Sequence, residues 1–146
     1  MATHGLPKTP WSALDTGCLP PPESLLLDAM RAWGAARTPL PAAAMVLAAE
    51  GAEALAIPLD ALLRTASPTL HCVLCPETGT DEAAVLMAVG LAQHNSRSCA
   101  LAMLLRVAAP LPAYNSMGAV LTLAGGMRAL RLLLANPFSR PGGQSG

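Results

Sequence analysis

The sequence predicts an all-α protein, a compact bundle of five to six short helices between flexible N- and C-terminal segments. Three observations carry that expectation. Apolar residues make up 53% of the chain but aromatic ones only 3%. A core of Ala, Leu, Val and Met suits close helix packing, whereas sheets draw on β-branched and aromatic side chains. Apolar positions recur every three or four residues in several segments, and Pro, Gly, Asn and Ser fall between them as interruptions. At 146 residues the chain is one domain's worth, long enough to bury a core of its own.

Residues 1–22 are rich in Pro, Thr and Gly and end in Pro20-Pro21-Pro22, which reads as an extended arm. Trp11 is the arm's only large aromatic group and is expected to dock on the domain. The helical domain is placed at 23–137. Its first helix begins near Glu23 or Ser24, with Leu26, Met30 and Trp33 facing inward and Asp28 and Arg31 turned to solvent; Gly34 weakens its end. Thr38 caps a second helix that carries Pro39 in its first turn and runs to about Leu55. Pro58 then forces a break before a short third helix over 59–65.

Residues 69–75 form a mostly apolar, extended stretch with no second strand in sight to pair with it. Gly79 permits a turn, and Thr80 caps a fourth helix whose Asp81 and Glu82 sit in the first turn, where the helix dipole favours negative charge. Ala84, Met87, Ala88 and Leu91 give this helix its inward face. Asn95 and Ser96 interrupt before a fifth helix over 98–109, which Pro110 and Pro112 end. The last helix, about 116–135, shows a buried stripe of Val120, Leu123, Met127, Leu130 and Leu134. Gly125-Gly126 costs about 1 kcal/mol per glycine relative to alanine, so a kink or a close helix crossing is expected there. Pro137 stops the helix, and 138–146 reads as a disordered tail.

Charge is divided along the chain. Residues 1–82 hold all nine acids against four bases, and the remainder holds five arginines and no acid. A formally neutral chain is therefore two halves of net −5 and +5. Such separation reports docking between halves, an anionic partner or a membrane surface. Arg128 and Arg131 lie one turn apart and are expected to face Glu50, Glu53 or Asp60, with an anionic membrane surface as the alternative. Nucleic acid is disfavoured, because the C-terminal arginines are dispersed and no aromatic ladder interleaves with them.

The sharpest chemical signal is a cysteine and histidine set. Cys72-x2-Cys75 and His94-x4-Cys99 supply three thiolates and an imidazole, the ligands of a closed tetrahedral zinc site. Helical rise opposes their meeting. A helix over 81–94 would put His94 about 20 Å from its start, while the steps from Cys75 to Thr80 span about 17 Å at full extension. Burial of each cysteine as a small apolar group is the competing reading. Thiol redox chemistry at Cys72 and Cys75 is a third, set back because the pair precedes Pro76 and a turn rather than opening a helix.

Other chemistries find no pattern. The glycine pairs fit neither dinucleotide nor triphosphate loops, and neither His-Glu-x-x-His nor Gly-x-Ser-x-Gly occurs. No apolar stretch follows a basic start, and four cysteines are too sparse for the framework of a small secreted domain, so a reducing cytoplasm is the expected compartment. The longest apolar stretch, 107–127, is interrupted by Pro110, Pro112, Asn115 and Ser116, against the 18 or so continuous apolar residues that spanning needs.

The run Ala54-Leu55-Ala56-Ile57-Pro58-Leu59-Asp60, then Cys75-Pro76, then Thr80-Asp81-Glu82 resembles a family of short uncharacterised bacterial helical proteins, over about residues 24–135. The resemblance implies a helical fold and no activity. Only 12% of residues are charged, and an incompletely covered apolar face marks a contact site. The expected function is a non-catalytic interaction or adaptor module, working through a protein partner or self-association. Zinc-stabilised and peripheral membrane modules are the alternatives.

Overall fold

Proline decides where three of the six helices begin. In the computed structural model, which describes residues 16–135, Pro21, Pro39 and Pro110 each open a helix. Proline suits that position because the first N–H of a helix has no intrahelical acceptor and φ near −65° is already helical. The helices are α1 (Pro21–Ala35), α2 (Pro39–Leu47), α3 (Ala56–Ala66), α4 (Thr80–Gln93), α5 (Arg97–Leu104) and α6 (Pro110–Ala129). Among the described residues there is no strand, and the fold is an all-α bundle.

Several boundaries differ from the sequence reading, each for a local reason. The 3-10 turn Thr16–Cys18 and the early start of α1 take residues from the expected arm; residues 1–15 of that arm, Trp11 included, and the 138–146 tail lie outside the described residues. The second helix does not reach Leu55. It passes into a 3-10 turn, Ala48–Glu50, and Gly51 reverses the chain at φ +70°, a conformation that suits glycine. A further 3-10 turn, Glu53–Leu55, leads into α3. Pro58 breaks nothing, because it is the third residue of α3, where its missing N–H has no acceptor to lose. Pro110 and Pro112 likewise start α6 and do not end α5, which stops at Leu104 instead of reaching 109.

Two helices close with the same six-residue turn. At the end of α4, Ser96 N–H donates to Leu91 O and Asn95 N–H to Ala92 O, with Asn95 at φ +66°. At the end of α6, Leu132 N–H donates to Met127 O and Arg131 N–H to Arg128 O, with Arg131 at φ +64°. Both are Schellman caps that satisfy terminal carbonyls. The second one ends α6 before Leu130, which is therefore 44% exposed instead of continuing the buried stripe.

The core is organised around α4. Every residue from Glu82 to Gln93 is buried, the pattern of a helix enclosed on all sides rather than one with a single inward face. It packs on α1, α5 and α6, while α2 lies on α1 and α3 on α6. Leu26, Leu27 and Met30 from α1, Leu62 and Leu63 from α3, Leu86 and Met87 from α4, and Met103 and Leu104 from α5 are fully enclosed. The close approach expected at Gly125-Gly126 is made by Gly126, where an added Cβ would collide with the Leu55 side chain. No helix among the described residues is long and apolar enough to cross a membrane.

Candidate functional site: a clamped apolar turn

The first turn of α4 and the middle of α1 meet through a buried ion pair. Arg31, expected to face solvent, is 2% exposed and its partner Glu82 is fully buried. The guanidinium grips the carboxylate through two bonds, Nε to Oε2 and Nη2 to Oε1, each 2.9 Å. Such forked geometry is the strong form of a charged hydrogen bond. Burial by itself would raise the Glu82 pKa, but bonds from Arg31, Gly79 and His71 outweigh it and hold the carboxyl below its ordinary value. The Glu82 hydrogen bond chiefly raises the Arg31 pKa in turn, against desolvation and with smaller help from the nearby Cys75 and Cys72 sulfurs. Both groups are charged in the folded protein.

The pair holds the chain that connects α3 to α4. Arg31 Nη1 donates to Cys75 O and Nη2 to Glu77 O, both at 2.8 Å. Glu82 accepts the N–H of His71 at 2.9 Å and of Gly79 at 2.8 Å. The latter bond caps α4, so Gly79, and not Thr80, occupies the cap position. Asp81 accepts the N–H of Thr69 at 2.8 Å. Residues 69, 71, 75, 77 and 79 are thus each tied to a side chain of α1 or α4. The Thr16 N–H also donates to Pro76 O at 2.8 Å.

What this base presents is an apolar tip. Cys75 N–H donates to Cys72 O at 3.1 Å, closing a β-turn whose central residues are Val73 and Leu74. Turns ordinarily place Gly, Pro, Asn, Asp or Ser there. Val73 is 55% and Leu74 90% exposed, while Cys72 is exposed and Cys75 half-buried. The Cys75 Sγ lies 3.7 Å from His71 Nδ1 and donates to Glu77 O at 3.4 Å. The His71 ring rests against Gly79, where any Cβ would collide with it. A cleft of about 290 Å³ beside the turn is lined by Gly34, Ala35, Leu70, His71 and Cys72.

The chain matches no family model, no curated protein and no solved structure.

The structure separates the four candidate metal ligands. Cys72 and Cys75 stand by the N-terminal end of α4, and His94 follows its last residue. Fourteen helical residues lie between them, about 21 Å of rise. His94 Nε2 donates to Leu134 O at 3.1 Å, and Cys99 packs half-buried against the core from α5. Among the described residues no three His, Cys, Asp or Glu side chains are grouped as metal ligands. His71 is the neighbour that Cys75 actually has, and ligand spacing alone does not single it out.

The far end of α4 is occupied by a polar strap. Gln93 Nε2 donates to Leu132 O at 2.9 Å and its Oε1 accepts Leu134 N–H at 2.7 Å. Glu23 Oε2 accepts Ala135 N–H at 2.7 Å. Arg128 Nη1 donates to Gln93 O at 2.8 Å, which draws Arg128 to the end of α4 and away from the acids expected to receive it. Asp60 is taken by Arg64 and by the Trp33 Nε1 donor at 2.8 Å.

Proposed function

We propose that this protein is a non-catalytic interaction module that associates with a second copy of itself, using the turn at residues 72–75 as a contact. The observation that carries the reading is a leucine side chain 90% exposed at the tip of a turn whose base is held by a buried ion pair. Exposed apolar side chains are common singly. An apolar tip on an ordered base is different, because little entropy remains to be lost when it binds.

Charge supports the choice of a second copy. The turn belongs to the half of the chain that holds all nine acids, so it favours a surface that is both apolar and basic. The other half of the same chain offers exposed apolar side chains and a net positive charge. Leu111 and Tyr114, 69% and 59% exposed, lie one turn apart on α6, and this half carries only arginines among its charged residues. Complementary charge chiefly guides encounter and register, and apolar burial provides affinity.

Sedimentation velocity over a wide concentration range tests this. Wild-type protein is expected to gain mass with concentration, more so at low salt, and Leu74→Asp is expected to remain monomeric with an unchanged helical spectrum. A monomer at every concentration contradicts self-association. Equal association of Leu74→Asp contradicts the turn as its contact.

A further inference from the structure

The turn that exposes Val73 and Leu74 also brings two thiols together. Its closing bond, Cys75 N–H to Cys72 O at 3.1 Å, defines a β-turn, in which the first and fourth Cα atoms are closer than about 7 Å. A disulfide requires a Cα separation of about 4.4–6.8 Å. The backbone is thus near bridging geometry before any sulfur reacts. Three further features bear on reactivity. Cys72 is exposed, so a soluble oxidant can reach it. The Cys75 Sγ lies 3.7 Å from His71 Nδ1, a base within reach of its proton after a small rotation. The Arg31 guanidinium bonds Cys75 O and so fixes one end of the turn.

We propose that Cys72 and Cys75 are a reversible dithiol–disulfide couple that closes across the Val73–Leu74 tip, with a small-molecule disulfide of the glutathione type as oxidant. The Cys72 thiolate, its proton lost to solvent, attacks one sulfur of the oxidant. A Cys72–glutathione bond forms, the oxidant's own S–S bond breaks, and one glutathione thiolate leaves. Cys75 then gives its proton to His71 Nδ1, and its sulfur attacks Cys72 Sγ. The intramolecular S–S bond forms, the mixed disulfide breaks, and a second glutathione thiolate departs and takes up a proton. In sum, two protein thiols are oxidised and one glutathione disulfide is reduced to two glutathiones. The base clamp makes the second step intramolecular between groups already held close, which favours closure over a lasting mixed disulfide. This stands on the geometry of the turn and is independent of what the turn contacts.

The test uses the full chain, reduced and then equilibrated in glutathione buffers from fully reduced to fully oxidised, acid-quenched, alkylated and mapped by mass spectrometry. The chain has four cysteines. Oxidising buffers are expected to remove two thiols, both mapped to Cys72 and Cys75, while Cys18 and Cys99 remain open to alkylation. Cys75→Ser is expected to accumulate glutathione on Cys72 without closing. His71→Gln is expected to slow closure of the mixed disulfide by about tenfold or more near neutral pH with the same oxidised fraction at equilibrium, an effect on rate that a merely structural role would not produce. Persistent glutathione on Cys72 in the wild type, four alkylated cysteines in every buffer, or a bridge that includes Cys18 would overturn the proposal. Unchanged closure in His71→Gln would remove His71 from it.

Discussion

Replacing Arg31 by methionine removes the guanidinium while keeping a long apolar stem in the core. The Glu82 carboxylate, fully buried, then keeps only the N–H groups of His71 and Gly79. Breaking a buried pair from one side costs about 3–5 kcal/mol, because the remaining charge is stranded. The carbonyls of Cys75 and Glu77 also lose their donor, but both residues have solvent access, so water replaces part of that loss and about 1 kcal/mol remains. Against a total stability of about 5–15 kcal/mol for a domain, the expected deficit is about a quarter or more. Glu82→Gln leaves Arg31 its two carbonyl acceptors and is expected to cost less. In the double variant neither charge is stranded, so its cost should fall short of the sum by about 2–3 kcal/mol. Urea unfolding followed by circular dichroism measures all four proteins. A deficit below about 1 kcal/mol for Arg31→Met, or strict additivity in the double variant, would refute the clamp as the organiser of this segment.

Three further outcomes are open to measurement. Because the Glu82 carboxyl sits below its ordinary value of 4.5 in the folded protein, its contribution is fully present above that value and is lost as pH falls through the folded one; Glu82→Gln should flatten this part of an acid-unfolding curve. Glu23 is the opposite case, since burial raises its pKa above 4.5 despite the Ala135 N–H bond. Stability is therefore lost as pH rises from 4.5 through the folded value, and Glu23→Gln should gain on wild type as pH rises above 4.5 in paired urea titrations. Thr78 Oγ1 is buried with no hydrogen-bond partner among the described residues, so Thr78→Val should raise the urea midpoint, by the equivalent of about 1 kcal/mol; a lower midpoint would show that the hydroxyl is satisfied.

The helices were legible in the sequence because their signals are local. Apolar spacing located α1, α4 and α6, and the Asn95-Ser96 interruption falls where α4 is capped and α5 begins. Prolines were legible as boundaries but ambiguous in direction, since the same residue ends one helix or opens the next, and Pro110 and Pro112 open α6. The clamp was not legible. Arg31 and Glu82 are 51 residues apart, and each has a local explanation that is complete without the other: a charged residue on a helix surface, an acid in a helix's first turn. Their pairing exists only because α1 crosses the start of α4. The Cys72 and Cys75 pair could be seen in the sequence, but the contact of Cys75 with His71 could not, because three residues lie between them and only the turn brings them together.

Hydrogen exchange at the His71 and Gly79 amides tests the clamped turn most directly. Both donate to a buried carboxylate and sit in a connection that would otherwise exchange freely. Protection approaching that of the α4 core amides is the expected result, falling sharply in Arg31→Met. Exchange at the rate of an open loop in the wild type would contradict a preformed base beneath Val73 and Leu74.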